Sequence, residues 1–171
     1  NGPVISINQD EEFIPASLLK VPMMLAYLKK ADQNHEYLNQ MVRYEHSVTT
    51  GITGQVAADT TLEIGKEYKL QELVETMIVN SDNQALLLLS SGLPLTDLTS
   101  LYDLLGVDSD VINDPSASLS VKRYSAFFRV LFNASFLSRE SSEWALATLS
   151  RSTFVDGLRA GVPNEVIVAH K

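Results

Sequence analysis

A chain of 171 residues with 45% hydrophobic and 20% charged side chains is long enough for one domain with a real core, and too apolar to stay disordered. Its net charge of −8 opposes a phosphate backbone, which argues against nucleic acid as a partner. The absence of cysteine excludes disulfides, thiolate metal sites and cysteine nucleophiles. No apolar run approaches the ~20 residues of a membrane span, and no basic-then-apolar leader opens the chain, so an export signal is expected to lie outside it.

Val4 to Asn8 alternates apolar and polar as a half-buried strand does, and Gln9 to Glu12 closes it as a turn. A helix is expected from Ser17 to about Lys30 or Ala31. Pro22 falls near its start and has no N–H, which predicts an irregular or late first turn with Ser17 at the helix mouth. Tyr37 to Val42 fits one helical turn or a short strand, and Thr49 to Gly54 is a loop with too few glycines to cradle a phosphate. Leu70, Leu73, Val74, Met77 and Ile78 line one face of a helix over 70–79. Asn80 to Asn83 interrupts it. The run from Gln84 to Ser90 is almost wholly apolar and reads as a buried central helix ended by Gly92.

Further helices are expected from a Thr96 cap to Leu105, from a Ser120 cap to about Phe132, and from Ser138 past Leu149. A short polar connector spans Val107 to Leu119, and a glycine-containing turn region spans Phe154 to Pro163. Glu165 to Lys171 reads as a closing strand, with His170 at the surface or a pocket rim. The outline is strand, many helices, strand. No internal repeat or low-complexity segment appears.

Two stretches carry chemistry. Ser17 and Lys20 are three residues apart, hence on one helix face, and a lysine of lowered pKa can take the proton of a neighbouring serine. The first helical turn adds N–H groups and the positive dipole end for a developing oxyanion. Alone, the pair reads first as an N-cap serine followed by a solvated lysine. Ser81-Asp82-Asn83 breaks two apolar helices, and such polar breaks are either caps or a site. A second hydroxyl at Ser81 can relay a proton, and Asn83 can hold an amide carbonyl while bonding Lys20. Lys171 supplies a positive charge near Ser81, or is a solvated chain end. His35, His46 and His170 form no His-Glu-x-x-His pair, so no metal or other cofactor is expected.

Taken in order, Ser17/Lys20, Ser81-Asp82-Asn83 and Lys171 resemble the three motifs of class A β-lactamases and penicillin-binding proteins. Tyr68 to Val74 leading into Asn80 to Ala85 is similar to that family's approach to its second motif. Gly157 to Pro163 followed by Val166 to Lys171 is similar to its approach to the third. The resemblance covers most of the chain and implies a single α/β (α+β) catalytic domain over 1–171, with helices packed on an antiparallel sheet. It also implies a nucleophilic Ser17, Lys20 as base, Ser81 as proton shuttle, and Asn83 and Lys171 as substrate contacts. The backbone N–H of Ser17 would be half of an oxyanion hole. The implied substrate is a β-lactam or a D-alanyl-D-alanine peptide, and the implied location is the periplasm or cell exterior. Oligomeric state is left open.

The chain departs from that pattern twice. Class A enzymes carry a Glu-x-x-Leu-Asn loop whose glutamate activates the deacylating water, whereas the connector from Val107 to Ser120 holds no glutamate and Asp114 is its nearest carboxylate. The third motif would continue two residues past Lys171, and the sheet with further strands, so an open sheet edge is expected. Three readings stay open: an acyl-transfer enzyme, as lactamase or D-alanyl peptidase; a non-catalytic penicillin-binding sensor or scaffold; and an unrelated helical domain in which Ser17 and Ser81 are caps.

Overall fold

The computed structural model describes residues 7–47, 60–114, 116–154, 159–163 and 165–171. In chain order the elements are β1 (Glu12–Phe13), α1 (Lys20–Gln33), β2 (Met41–Arg43), β3 (Glu67–Lys69), α2 (Leu70–Val79), α3 (Asn83–Gly92), α4 (Leu95–Leu105), α5 (Asp110–Asn113), β4 (Leu119–Ser120), α6 (Val121–Phe132) and α7 (Arg139–Leu149). Single 3-10 turns sit at Ala16–Leu19, Tyr37–Asn39 and Arg159–Gly161. Among the described residues the architecture is mostly helical with two small antiparallel pairs, β1 with β4 and β2 with β3.

The core is built around α1. Every residue from Lys20 to Leu28 is buried, and the helix packs against α2, α4 and α7. A helix apolar all round in its first half belongs at the centre of a domain. This corrects the expectation for the run after Gln84. Only Gln84, Ala85 and Leu89 of α3 are buried, while Leu86 to Leu88 are half-covered, so α3 lies on α2 at the flank of the core. Tyr27 on α1 donates to the Leu89 carbonyl at 2.7 Å and fixes the depth at which α3 sits.

Local chemistry explains most boundaries. Pro22 delays the α-helix to Lys20 and leaves Ala16–Leu19 as a 3-10 turn. Tyr37–Val42 splits into a 3-10 turn and strand β2, so both alternatives are present in succession. The helix over 70–79 forms with those bounds. Gly106 ends α4 in the left-handed region (φ 64°), where a residue without Cβ meets no steric cost. Ser120 and Ser138 cap α6 and α7 by accepting from Arg123 N and Ser141 N. The polar connector after Val107 contains the short α5.

The closing strand does not form. After a turn in which Val166 N donates to Pro163 O at 3.0 Å, residues 167–171 carry no ladder, because no neighbouring strand pairs with them among the described residues. Unpaired backbone groups cannot make a strand, whatever the side-chain alternation. His170 is buried, not at a rim. The expected strand over 4–8 and the loop over 49–54 lie wholly or largely outside the described residues. No single helix among the described residues is long and apolar enough to cross a membrane.

One side chain ties the two ends of the helical layer. Asp32, in the last turn of α1, accepts from Ser138 N (2.7 Å), Ser138 Oγ (2.6 Å) and Ser141 Oγ (2.6 Å) at the start of α7. A carboxylate is poorly placed for the dipole of its own helix but well placed for the N-terminus of the next. Burial pushes the Asp32 carboxyl up, yet the three hydrogen bonds and nearby Lys29 outweigh it and leave it below its ordinary range. Asp32→Ala is therefore expected to lower stability by ~1–2 kcal/mol at pH 7, the figure reduced for partial exposure. Because the folded-state pKa is depressed, this contribution is full above the unfolded carboxylate range and is lost as pH falls through the folded value. Urea titrations of both proteins at pH 7 and pH 3 check this: the gap between them should narrow on acidification.

Candidate active site

Lys20 begins α1 and its side chain is almost fully buried, at 1% exposure. An ammonium in such a place needs oxygen partners. It has four. Nζ donates to Ser17 Oγ at 3.2 Å, Ser81 Oγ at 3.0 Å, the Ser81 carbonyl at 2.6 Å and Asn83 Oδ1 at 2.7 Å. An ammonium has only three N–H groups, so one contact is shared or reversed. The longest is the one to Ser17. Burial pushes Lys20 down to about 8, opposed by the negative charge of Asp82. A neutral amine is then accessible near neutral pH, and its lone pair can accept the Ser17 proton.

The second hydroxyl completes a triangle. Ser81 Oγ donates to Ser17 Oγ at 3.1 Å while itself lying 3.0 Å from Lys20 Nζ. All three atoms are within hydrogen-bond reach of one another. Both serine positions depend on unusual backbone. Ala16, just before Ser17, has φ 43°, and Ser81 itself has φ 56°. Non-glycine residues in this region carry strain of roughly 1–3 kcal/mol, which persists only where the surroundings fix it. At Ser81 the surroundings are its neighbours. Asp82 is buried, its Oδ1 accepts from Ala85 N at 2.9 Å as the cap of α3, and its Oδ2 accepts from Thr61 N at 3.1 Å. The break between α2 and α3 is thus a cap and a cluster at once: Asp82 caps, and Ser81 and Asn83 turn to Lys20.

Lys171 arrives by a different route from the one expected. Its Nζ donates to the carbonyls of Met77 (3.3 Å) and Ile78 (2.5 Å) in the last turn of α2, where a cation satisfies orphan carbonyls. It makes no hydrogen bond to Ser81. Burial, and secondarily the charge of Lys20, push it down to about 7, so the two lysines share one electrostatic environment. Asp114 stands apart: it is exposed and accepts from Ser116 N (2.8 Å) and Ser116 Oγ (2.7 Å), and none of its hydrogen bonds goes to Ser17, Lys20 or Ser81. Two contributors escaped the sequence reading. The Ser81 carbonyl, as a backbone group, has no residue-type signal, and the strain at Ala16 is invisible because alanine does not mark positive φ.

The sequence profile described as the beta-lactamase enzyme family matches residues 1–171. The chain belongs to the beta-lactamase enzyme family. Solved structures agree in fold. A beta-lactamase from Sphaerobacter thermophilus DSM 20745 superposes with TM-score 0.77 at 24% identity, covering 95% of this chain and 64% of its own. PBP-A superposes with TM-score 0.79 at 23% identity, covering 95% and 63%. A beta-lactamase from Chitinophaga pinensis DSM 2588 gives TM-score 0.81 at 22% identity, covering 99% and 68%. This beta-lactamase-family chain thus spans somewhat under two thirds of the length of the first two structures it resembles. No curated protein matches it.

The charge of Asp82 sets a measurable property of the cluster. Since it raises the Lys20 pKa, Asp82→Asn should move the Lys20 titration below 8, read by NMR of selectively labelled lysine. A midpoint that stays put or rises would show that Asp82 acts on Lys20 only through the backbone.

Proposed function

We propose that this chain carries the acylation machinery of a class A-like serine hydrolase that opens β-lactam amides through a Ser17 acyl-enzyme. The observation supporting this reading most directly is the Ser17–Lys20–Ser81 triangle, with every side between 3.0 and 3.2 Å around a lysine pushed down to about 8. Neutral Lys20 takes the Ser17 proton as Ser17 Oγ bonds to the amide carbonyl carbon. The backbone N–H of Ser17 supplies one oxyanion donor. When the C–N bond breaks, the proton passes from Lys20 through Ser81 to the departing nitrogen. Water then cleaves the Ser17 ester. Asn83 both orients Lys20 and offers its amide N–H₂ to the substrate, and Lys171 contributes positive charge toward a substrate carboxylate. The family resemblance extends the reading to a periplasmic or extracellular location.

A second reading shifts the substrate to D-alanyl peptides, with β-lactams as slow or trapping ligands. It is favoured by the connector after α4, which holds no glutamate and whose Asp114 is engaged with Ser116. It is also favoured by the similarity to PBP-A, a variant of which has been captured as an acyl-enzyme with penicillin G. A site that acylates without a group to orient water accumulates the ester.

Incubation with penicillin G followed by intact-mass measurement tests both. An adduct that forms and clears supports lactam hydrolysis, and one that persists supports the peptidase reading. No adduct at all, or one that survives Ser17→Ala, would overturn the assignment of Ser17. The pH dependence follows from the two lysines. At saturating penicillin the rate of adduct formation should rise with pH through about 8, as Lys20 loses its proton. At low penicillin it should also fall on the alkaline side, because Lys171, pushed down to about 7, loses the charge that attracts a carboxylate. Since the two repel each other, the midpoints belong to the pair. Lys20→Arg keeps the charge but not the base and should slow adduct formation by ~100-fold or more.

A further inference from the structure

The turn that carries Ser17 lacks a hydrogen bond that its own helix would normally make. In an uninterrupted helix the carbonyl of residue 18 accepts from the N–H of residue 22. Here residue 22 is proline, buried within the first turn of α1, and has no N–H to give. The Leu18 carbonyl is met in two other ways: the Lys20 N–H turns to it within the turn, and a side chain reaches it from outside. Tyr124, one turn into α6, donates its phenol to Leu18 O at 3.2 Å across 106 residues of sequence.

The start of α6 is joined to the segment that enters the same turn. β1 pairs with β4 through Glu12↔Ser120 and Phe13↔Leu119. The first N–H groups of α6 have no partner in their own helix and donate to that segment: Val121 N to Glu11 O at 3.3 Å and Lys122 N to Gln9 O at 2.8 Å. The Phe13 ring stands edge-on to Tyr124 at 6.2 Å, and Phe127 and Phe128 flank the phenol ring at 5.8 Å each. The tyrosine is therefore held on three sides by aromatic rings, with its oxygen at the carbonyl next to the nucleophile. Burial pushes its phenol far above the ordinary range, so it remains a donor throughout the working pH range.

We propose that Tyr124 is a positioning residue for Ser17: its phenol occupies the hydrogen-bonding place vacated by Pro22, and so holds the strained 3-10 turn Ala16–Leu19 in the geometry that brings Ser17 Oγ to Lys20 and Ser81. The kinetic part of this inference rests on the reading of Ser17 as the acylated group, whereas the structural part does not. Tyr124 touches neither Lys20 nor Ser81 by a hydrogen bond and is not itself a catalytic residue. Pro22 and Tyr124 work as a compensating pair, the one removing the i+4 donor from the helix and the other adding a side-chain donor beside the Lys20 N–H. Positive φ at Ala16 shows why a returned bond matters: the turn sits in a conformation its sequence does not favour, and each tether lost lets it relax.

The pair makes a distinctive prediction, because restoring an N–H at residue 22 should make the phenol redundant. Four proteins are compared: wild type, Tyr124→Phe, Pro22→Ala and the double variant. Hydrogen exchange of the peptide covering residues 16–20 needs no substrate. It should speed up by ~10-fold in Tyr124→Phe and return to within ~3-fold of the Pro22→Ala value in the double variant. The rate constant of penicillin G adduct formation at saturation should follow the same pattern. It should fall by ~10-fold (about 1.4 kcal/mol) for Tyr124→Phe in the proline background and by less than ~3-fold in the alanine background. A merely structural tyrosine would lower global stability equally in both backgrounds and leave the adduct rate at saturation unchanged. Equal exchange in wild type and Tyr124→Phe, or an equal loss in the two backgrounds, would overturn the inference. Wild-type protein that forms no adduct would overturn the acylation reading instead, a failure visible before any variant is made.

Discussion

The arrangement rests on one buried charge. Lys20 lies where α1 enters the core, and every residue for two turns beyond it is buried. A cation there is tolerable only if oxygens surround it, and the helix cannot supply them, because its own carbonyls are committed to its ladder. They come from the two places where regular structure stops: the 3-10 turn before α1, and the gap between α2 and α3. Both interruptions are thereby tied to one nitrogen. The resulting lysine is pushed down far enough to lose its proton near neutrality yet is held in place by its oxygen partners.

Compensation of this kind recurs through the molecule. Orphan carbonyls at the end of α2 go to Lys171, orphan N–H groups at the start of α6 go to the backbone around Glu11, and the start of α7 is answered by Asp32. Among the described residues the two antiparallel pairs are short, and helix ends do most of the joining.

Helices with sharp ends were legible in the sequence because the relevant signals are local. The face over 70–79, the serine caps at 120 and 138, and glycine 106 each act within a few residues. The late start of α1 was legible from Pro22 alone. Closure was not. Whether 165–171 becomes a strand depends on a neighbour, and alternation of apolar residues cannot reveal that none pairs with it among the described residues. The leucine run after Gln84 misled for a similar reason, since apolarity says that a helix seeks cover and not how much it finds. At the site, the pairing of Ser17 with Lys20 followed from spacing, and the meeting with Ser81 and Asn83 from recognising an ordered set of motifs. The route of Lys171 to the carbonyls of α2, and the donor from Tyr124, are tertiary events with no trace in local sequence.

The left-handed backbone at Ser81 limits which hydroxyl can stand there. Threonine would bring the same oxygen and the same proton for the bonds to Lys20 and Ser17. Its branched Cβ, however, crowds the following carbonyl when φ is positive, and β-branched residues bear that crowding worst of all. Residues at ease in this conformation, glycine and asparagine, have no hydroxyl. Serine is thus a compromise between a backbone that wants no side chain and a cluster in which its hydroxyl bonds Lys20 and Ser17.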